Sequence, residues 1–265
     1  MRSVFSAGLL DGFLQRRFNP FDGYIGVSAG AGNLAGFLAG AEGKSLELFL
    51  RMARSISPLR FARGGPLIDL RTLLDAIAAS GLDIANVYRH GKPLFVVTTD
   101  VATGQAVYVD TAADTLMQVL AASMALPLMV RDLPFIAGRM MADGGMADAI
   151  PVREAMRRGA KTIMVVRSRP DGYVKRDTPA HRYIRWRLRT HPQLRRAMKG
   201  RVRRHDDAVA LLHSPPTGVH IVDVCPPPDF CMGRFSTRRR TLLHGYGLGL
   251  SMADRVIAQW HRATA

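Results

Sequence analysis

The stretch Tyr24-Ile25-Gly26-Val27-Ser28-Ala29-Gly30-Ala31-Gly32-Asn33 carries the pattern G-x-S-x-G between a strand-like run and a helical one. A strand that turns sharply into a helix presents its corner residue in a strained, exposed conformation. Small neighbours are needed at such a corner because bulkier side chains clash, and Gly26, Ala29 and Gly30 meet that need. The turn leaves the Ser28 oxygen at a helix N-terminus, where partial positive charge favours an anionic intermediate. A Gly-rich turn capped by a serine is the competing reading of the same residues.

Outward from this corner the chain alternates between two periodicities. Short β-branched or aromatic runs fall at 24–27, 94–99, 106–109, 162–166 and 219–224. Helical patterns lie at 4–17, 31–39, 69–79, 114–125 and 151–158. That alternation predicts an α/β fold. Turn residues mark the joins at Asn19-Pro20, Asp22-Gly23, Arg63-Gly64-Gly65-Pro66 and Thr103-Gly104, the last reading as a hairpin turn. Residues 179–212 read as helical and basic, with Pro192 in the first turn of a new helix. Residues 238–260 read as one closing helix that includes Gly245-Tyr246-Gly247-Leu248-Gly249. No strand precedes this GYGLG and no acid follows at the distance a dinucleotide loop needs, so it is read as helix packing.

With 265 residues, 48% apolar and 22% charged, the composition is that of an ordinary globular protein. The longest nearly apolar run, 119–130, contains Pro127 and is too short for a spanning helix, which needs about 20 residues. Residues 1–13 lack a signal-peptide pattern because Asp11 interrupts them. Cys225 and Cys231 have no second pair to complete a metal site, so the expectation is a reduced, cytoplasmic setting without metal or cofactor.

The net charge of +16 is concentrated: residues 167–204 hold 14 basic residues against two acids. Within them Arg182, Arg185, Arg187 and Arg189 interleave with Tyr183, Ile184, Trp186 and Leu188. Such a helix is read as a solvated face packing Ile184 and Leu188 inward. Two functional readings compete with it: peripheral docking on an anionic membrane, and, behind that, phosphate contacts to nucleic acid.

A serine hydroxyl is a weak nucleophile and requires a base. None of the eight histidines sits in a recognisable motif. Asp143, in Met141-Ala142-Asp143-Gly144-Gly145-Met146-Ala147-Asp148, is the better candidate, since Gly144 and Gly145 let the backbone pass close to another chain segment. An ordinary Asp titrates near pH 4, so this role calls for a protein environment that raises its basicity. An Asp-Gly turn is the plain alternative. Asp148 is expected as a helix first-turn charge ahead of Pro151.

Taken in order, these residues resemble the patatin-like phospholipase family of serine acyl hydrolases. The resemblance rests on Arg2-Ser3-Val4-Phe5-Ser6-Ala7-Gly8-Leu9-Leu10-Asp11, Gly26-Val27-Ser28-Ala29-Gly30 and Thr98-Thr99-Asp100-Val101-Ala102-Thr103-Gly104. It continues through Ala122-Ser123-Met124-Ala125-Leu126-Pro127, then Asp143-Gly144-Gly145 followed by Ala149-Ile150-Pro151-Val152. It implies a three-layer α/β/α fold with a mostly parallel central sheet and a Ser28–Asp143 dyad, nucleophile and general base. It also implies cleavage of lipid acyl esters through an acyl-enzyme. Residues 1–170 would form the catalytic core, and 171–265 a basic helical part, one further strand and a closing helix packed on it.

One departure stands out. The family's first strand and G-G-G-x-[RK]-G loop supply oxyanion donors, whereas here only Arg2 matches that loop. The expectation is an upstream strand ending in Gly-Gly-Gly, with Met1 an internal codon or the chain truncated. A catalytically silent domain that binds anionic surfaces through 167–204 is the alternative function, and a Ser-His-Asp esterase a third.

Overall fold

The computed structural model describes residues 1–56, 70–79, 81–127, 130, 132–177, 179–233 and 236–265. The expected turn at Arg63-Gly64-Gly65-Pro66 lies outside them. The chain opens with α1 (Val4–Gln15), in which every residue from Val4 to Phe13 is buried. A helix buried on every side belongs in an interior, and α1 lies between others rather than on the surface, with its polar Ser6 and Asp11 also enclosed. There follow β1 (Tyr24–Val27), α2 (Ala29–Leu38), α3 (Lys44–Ser55), α4 (Leu70–Ala78) and α5 (Ile84–Tyr88). The hairpin β2 (Leu94–Asp100) and β3 (Ala106–Asp110) leads to α6 (Leu116–Met124), β4 (Phe135–Ile136) and β5 (Arg139–Asp143). The last part comprises α7 (Val152–Arg157), β6 (Thr162–Val166), α8 (Pro179–Arg187), α9 (Pro192–His213), β7 (His220–Val224), α10 (Arg239–Ser251) and α11 (Ala253–Thr264).

The sheet pairing follows from the connections. β1 and β2, joined through helices, pair in parallel, and so do β6 and β7. The two-strand hairpin makes β3 antiparallel to β2, turning at Gly104 with φ +70°. β5 pairs antiparallel with β2 and with β4. Alternation along β6 and β7 shows the layering. Met164, Val166, Val222 and Val224 face a core shared with α1, α2, α10 and α11. Ile163, Val165, Val219 and Ile221 face α7 and α9 through Val152, Ala208 and Leu212. Helices on both faces of a sheet make this an α/β/α arrangement.

Pro192 opens α9 at its first turn, as its fixed φ favours. The closing segment differs from its expected form: it is two helices, with Met252 both ending α10 and preceding α11. The break lets Leu242 of α10 and Val256 and Trp260 of α11 all reach the main core. The expected packing role of the GYGLG run holds. A Cβ on Gly249 would lie 2.0 Å from the Phe5 carbonyl oxygen, and one on Gly8 would lie 2.0 Å from that of Tyr246. α1 and α10 therefore cross in backbone contact. Tyr246 adds a hydrogen bond, its hydroxyl donating to buried Asp11 at 2.7 Å.

Gly247, on the outer face of α10, has nothing within 4 Å of its would-be Cβ. Chemical denaturation should separate the two glycines. Gly249→Ala is expected to cost about 3 kcal/mol, as overpacking against backbone does, while Gly247→Ala is expected to stabilise by up to about 1 kcal/mol.

Candidate active site

β2 brings the two candidate residues together by register alone. β3 occupies one edge of β2, so β1 and β5 share the other. β1 runs up that edge and ends with Val27 opposite Val97. β5 comes from the opposite direction and ends with Asp143 opposite Thr98. The residue following β1 is Ser28, so alcohol and carboxylate face each other where the strands meet. The Ser28 hydroxyl donates to Asp143 Oδ2 at 2.8 Å. No histidine bonds to Ser28 among the described residues.

The corner is strained as the elbow pattern requires: Ser28 has φ +52° and ψ −130°, unusual for a residue with a side chain. Close packing holds it there. A Cβ on Gly26 would lie 2.5 Å from Ala31 Cα. Gly30 differs from its expected role. A Cβ there meets nothing within 4 Å, so crowding does not explain that glycine. The Asp143 loop is fixed just as tightly. A Cβ on Gly144 would lie 2.1 Å from the Val97 carbonyl oxygen. The Gly145 N–H donates to Asp143 Oδ1 at 2.8 Å, anchoring one carboxylate oxygen and leaving the other for Ser28. Thr99 ties the loop down, its hydroxyl donating to the Asp143 carbonyl at 2.8 Å and accepting from the Ala147 N–H at 3.2 Å.

A third residue joins the pair. Ser123, fully buried in α6, accepts the Ser28 backbone N–H at 2.7 Å and donates to the Val97 carbonyl at 2.7 Å. The sequence marks its segment only as part of a family-like run. The partners lie 95 residues apart in the chain, beyond any local signal. Asn33, also buried, links α2 to the start of α1 by donating to the Ser3 carbonyl at 2.7 Å and the Ser6 hydroxyl at 3.0 Å. That bond places Arg2, in the turn ahead of α1, beside the elbow helix. Among the described residues no strand pairs with the second edge of β1 or of β6.

A family model described as "Patatin-like phospholipase" matches residues 1–156. The chain belongs to the patatin-like phospholipase family. It is also 32% identical over 259 residues to "Uncharacterized protein YjjU" of Escherichia coli (strain K12), covering 94% of this chain and 72% of that protein. Family membership supports a hydrolase of the lipid acyl type and lipid ester substrates.

Other sequence candidates are placed differently. Asp148 is no simple first-turn charge: it accepts the Tyr108 hydroxyl at 2.7 Å and the Ile150 N–H at 3.2 Å. In the basic segment Arg185 forms a two-pronged pair with Asp177 at 2.7 Å. Arg182 and Arg189 are exposed, and Arg189 lies 5.0 Å over the ring of Trp186, itself 56% exposed. Leu188 is buried and Ile184 packs beside it, as the solvated-helix reading expects. The side chains of Arg187 and Tyr183 lie outside the described residues. No helix among the described residues is long and apolar enough to cross a membrane.

Asp171, Asp223 and Cys225 offer ligand atoms within 4.8 Å of one another. The buried Arg167 guanidinium sits among them, donating to Asp223 and Asp171 at 2.8 Å. A cation already fills that place, which is why the cluster is stable without an ion. Burial, with Asp223 alongside, pushes the Cys225 thiol up to about 12.

Two measurements follow. Ser123→Ala leaves the Ser28 N–H and the Val97 carbonyl unpaired, so stability should fall by about 1–3 kcal/mol; ester hydrolysis should lose kcat with little change in KM. Iodoacetamide at neutral pH should label exposed Cys231 in the folded protein and reach Cys225 only after denaturation.

Proposed function

We propose that this protein is a serine hydrolase of lipid carboxylic esters working through Ser28 and Asp143. The 2.8 Å hydrogen bond between their oxygens, with Asp143 Oδ1 already engaged by Gly145, is the observation that carries the reading. Ser28 Oγ attacks the ester carbonyl carbon as its proton passes to Asp143 Oδ2. The tetrahedral intermediate collapses, the alcohol portion leaves with that proton, and an acyl group remains on Ser28. Water then attacks the acyl-enzyme, giving its proton to Asp143, and the fatty acid departs as Ser28 is restored. Ala29 follows the nucleophile, and among the described residues its N–H donates to no other group. It is the donor the elbow geometry aims at a developing oxyanion.

The exposed pair of Trp186 and Arg189, with Arg182 beside it, suits peripheral contact with an anionic membrane. That placement would bring the dyad to a lipid surface in the cytoplasm. The competing reading, a silent domain that only binds such surfaces, makes no use of the serine–carboxylate bond.

A fluorophosphonate probe separates the two. The intact protein should be labelled, and Ser28→Ala should abolish labelling. Asp143→Asn should slow both labelling and ester turnover about 10²–10⁴-fold, the usual contribution of a general base. Absence of labelling in the folded, full-length protein would overturn the hydrolase reading.

A further inference from the structure

A cavity of about 300 Å³ lies away from the dyad, between the β2–β3 hairpin and the long helix α9. Gly104 at the hairpin tip touches α9 directly: a Cβ there would lie 2.5 Å from the Gln193 carbonyl oxygen. Three arginines line the space, Arg153 from α7 and Arg196 and Arg204 from α9. Arg204 is held in place by backbone, donating to the Met146 carbonyl at 2.8 Å and to that of Ala197. Arg153 and Arg196 are exposed, and among the described residues neither has an ion-pair or hydrogen-bond partner. Two acids share the lining, each with a partner of its own. Asp148 accepts from Tyr108 and Ile150, and Asp207 pairs with Arg203 at 3.7 Å.

We propose that this cavity binds a phosphate ester, its oxygens held by Arg153 and Arg196 over a floor formed by Arg204. Guanidinium groups recognise phosphate through charge-assisted, paired hydrogen bonds, which a neutral ligand cannot supply. Its volume is that of a small-ligand site. Its lining residues Thr103, Gly104 and Gln105, in the turn after β2, and Ala147 and Asp148, just past the Asp143 loop, place it near the end of the sheet that carries Ser28. Tyr108 on its wall and Val27 beside the nucleophile flank the same residue, Val97, on opposite edges of β2. Two strand spacings, about 10 Å, therefore separate them. A phospholipid headgroup and a soluble phosphate ester share this chemistry. The inference stands apart from the hydrolase reading, because binding is measured with the nucleophile removed.

The experiment uses full-length Ser28→Ala protein, folded by circular dichroism. Calorimetric titration with sn-glycerol 3-phosphate should show saturable binding. The double variant Arg153→Ala/Arg196→Ala should weaken it about tenfold or more. The control Arg195→Ala/Lys199→Ala removes two exposed charges of α9 that are not among the cavity's lining residues, and should leave it unchanged. Co-sedimentation with phosphatidylcholine vesicles, with and without phosphatidic acid, identifies the source. A loss specific to Arg153 and Arg196 on phosphatidic acid vesicles supports a lipid headgroup. The same loss for glycerol phosphate alone supports a soluble ester. Equal losses in both double variants, or no binding of either probe, would overturn the proposal.

Discussion

The Val97 peptide in the middle of β2 is the point on which the rest of the site depends. Val27 pairs with Val97 from one edge and Tyr108 from the other. Its carbonyl accepts the Ser123 hydroxyl, and Gly144 packs directly against it. Moving β1 or β5 by one residue along this edge would turn Ser28 or Asp143 to the opposite face of the sheet, because side chains alternate with period two. The strained turn at Ser28 persists because neighbouring groups determine it from several sides: Ala31 close to Gly26, Ser123 on its N–H, Asp143 on its hydroxyl.

This arrangement explains which parts of the site were legible in the sequence. The elbow and the Asp-Gly-Gly turn are short, local and built from glycine, so their backbone demands are written where they act. The strands β1 and β6 were equally plain, as apolar or β-branched runs between turns. β5 was not. Arg139-Met140-Met141-Ala142-Asp143 lacks β-branched residues and owes its extended form to pairing with β2 and β4. Ser123 was hidden for a related reason, since its importance comes from two partners distant in sequence. The break at Met252 has no Pro or Gly to announce it; the interruption serves packing of both helices on α1 and β7.

The fate of Gly30 shows the limit of motif reading from the other direction. The pattern G-x-S-x-G presents both glycines as equivalent, yet only Gly26 is pressed against a neighbour. A sequence pattern records which residues recur together, not which contact each one makes. The same holds for the GYGLG run, where Gly249 and Gly245 meet the core and Gly247 faces outward.

Charge in the C-terminal part needs the same discrimination. The excess of arginine between 167 and 204 looks like one cationic surface when counted along the chain. In three dimensions it divides. Arg167 neutralises Asp223 and Asp171 inside the fold, Arg185 is paired with Asp177, and Arg204 braces backbone carbonyls. Those cations are bound to their own chain, and a partner would have to compete for them at a desolvation cost. Other cations lie apart from these, Arg182 and Arg189 flanking Trp186 along the chain, and Arg196 with Arg153 of α7 in the cavity lining. Salt screens exposed charges more strongly than partly enclosed ones. Contacts made by the exposed Arg182, Arg189, Arg153 and Arg196 should therefore fade with ionic strength sooner than the pairing of buried Arg167 with Asp223. The net charge alone does not distinguish the two.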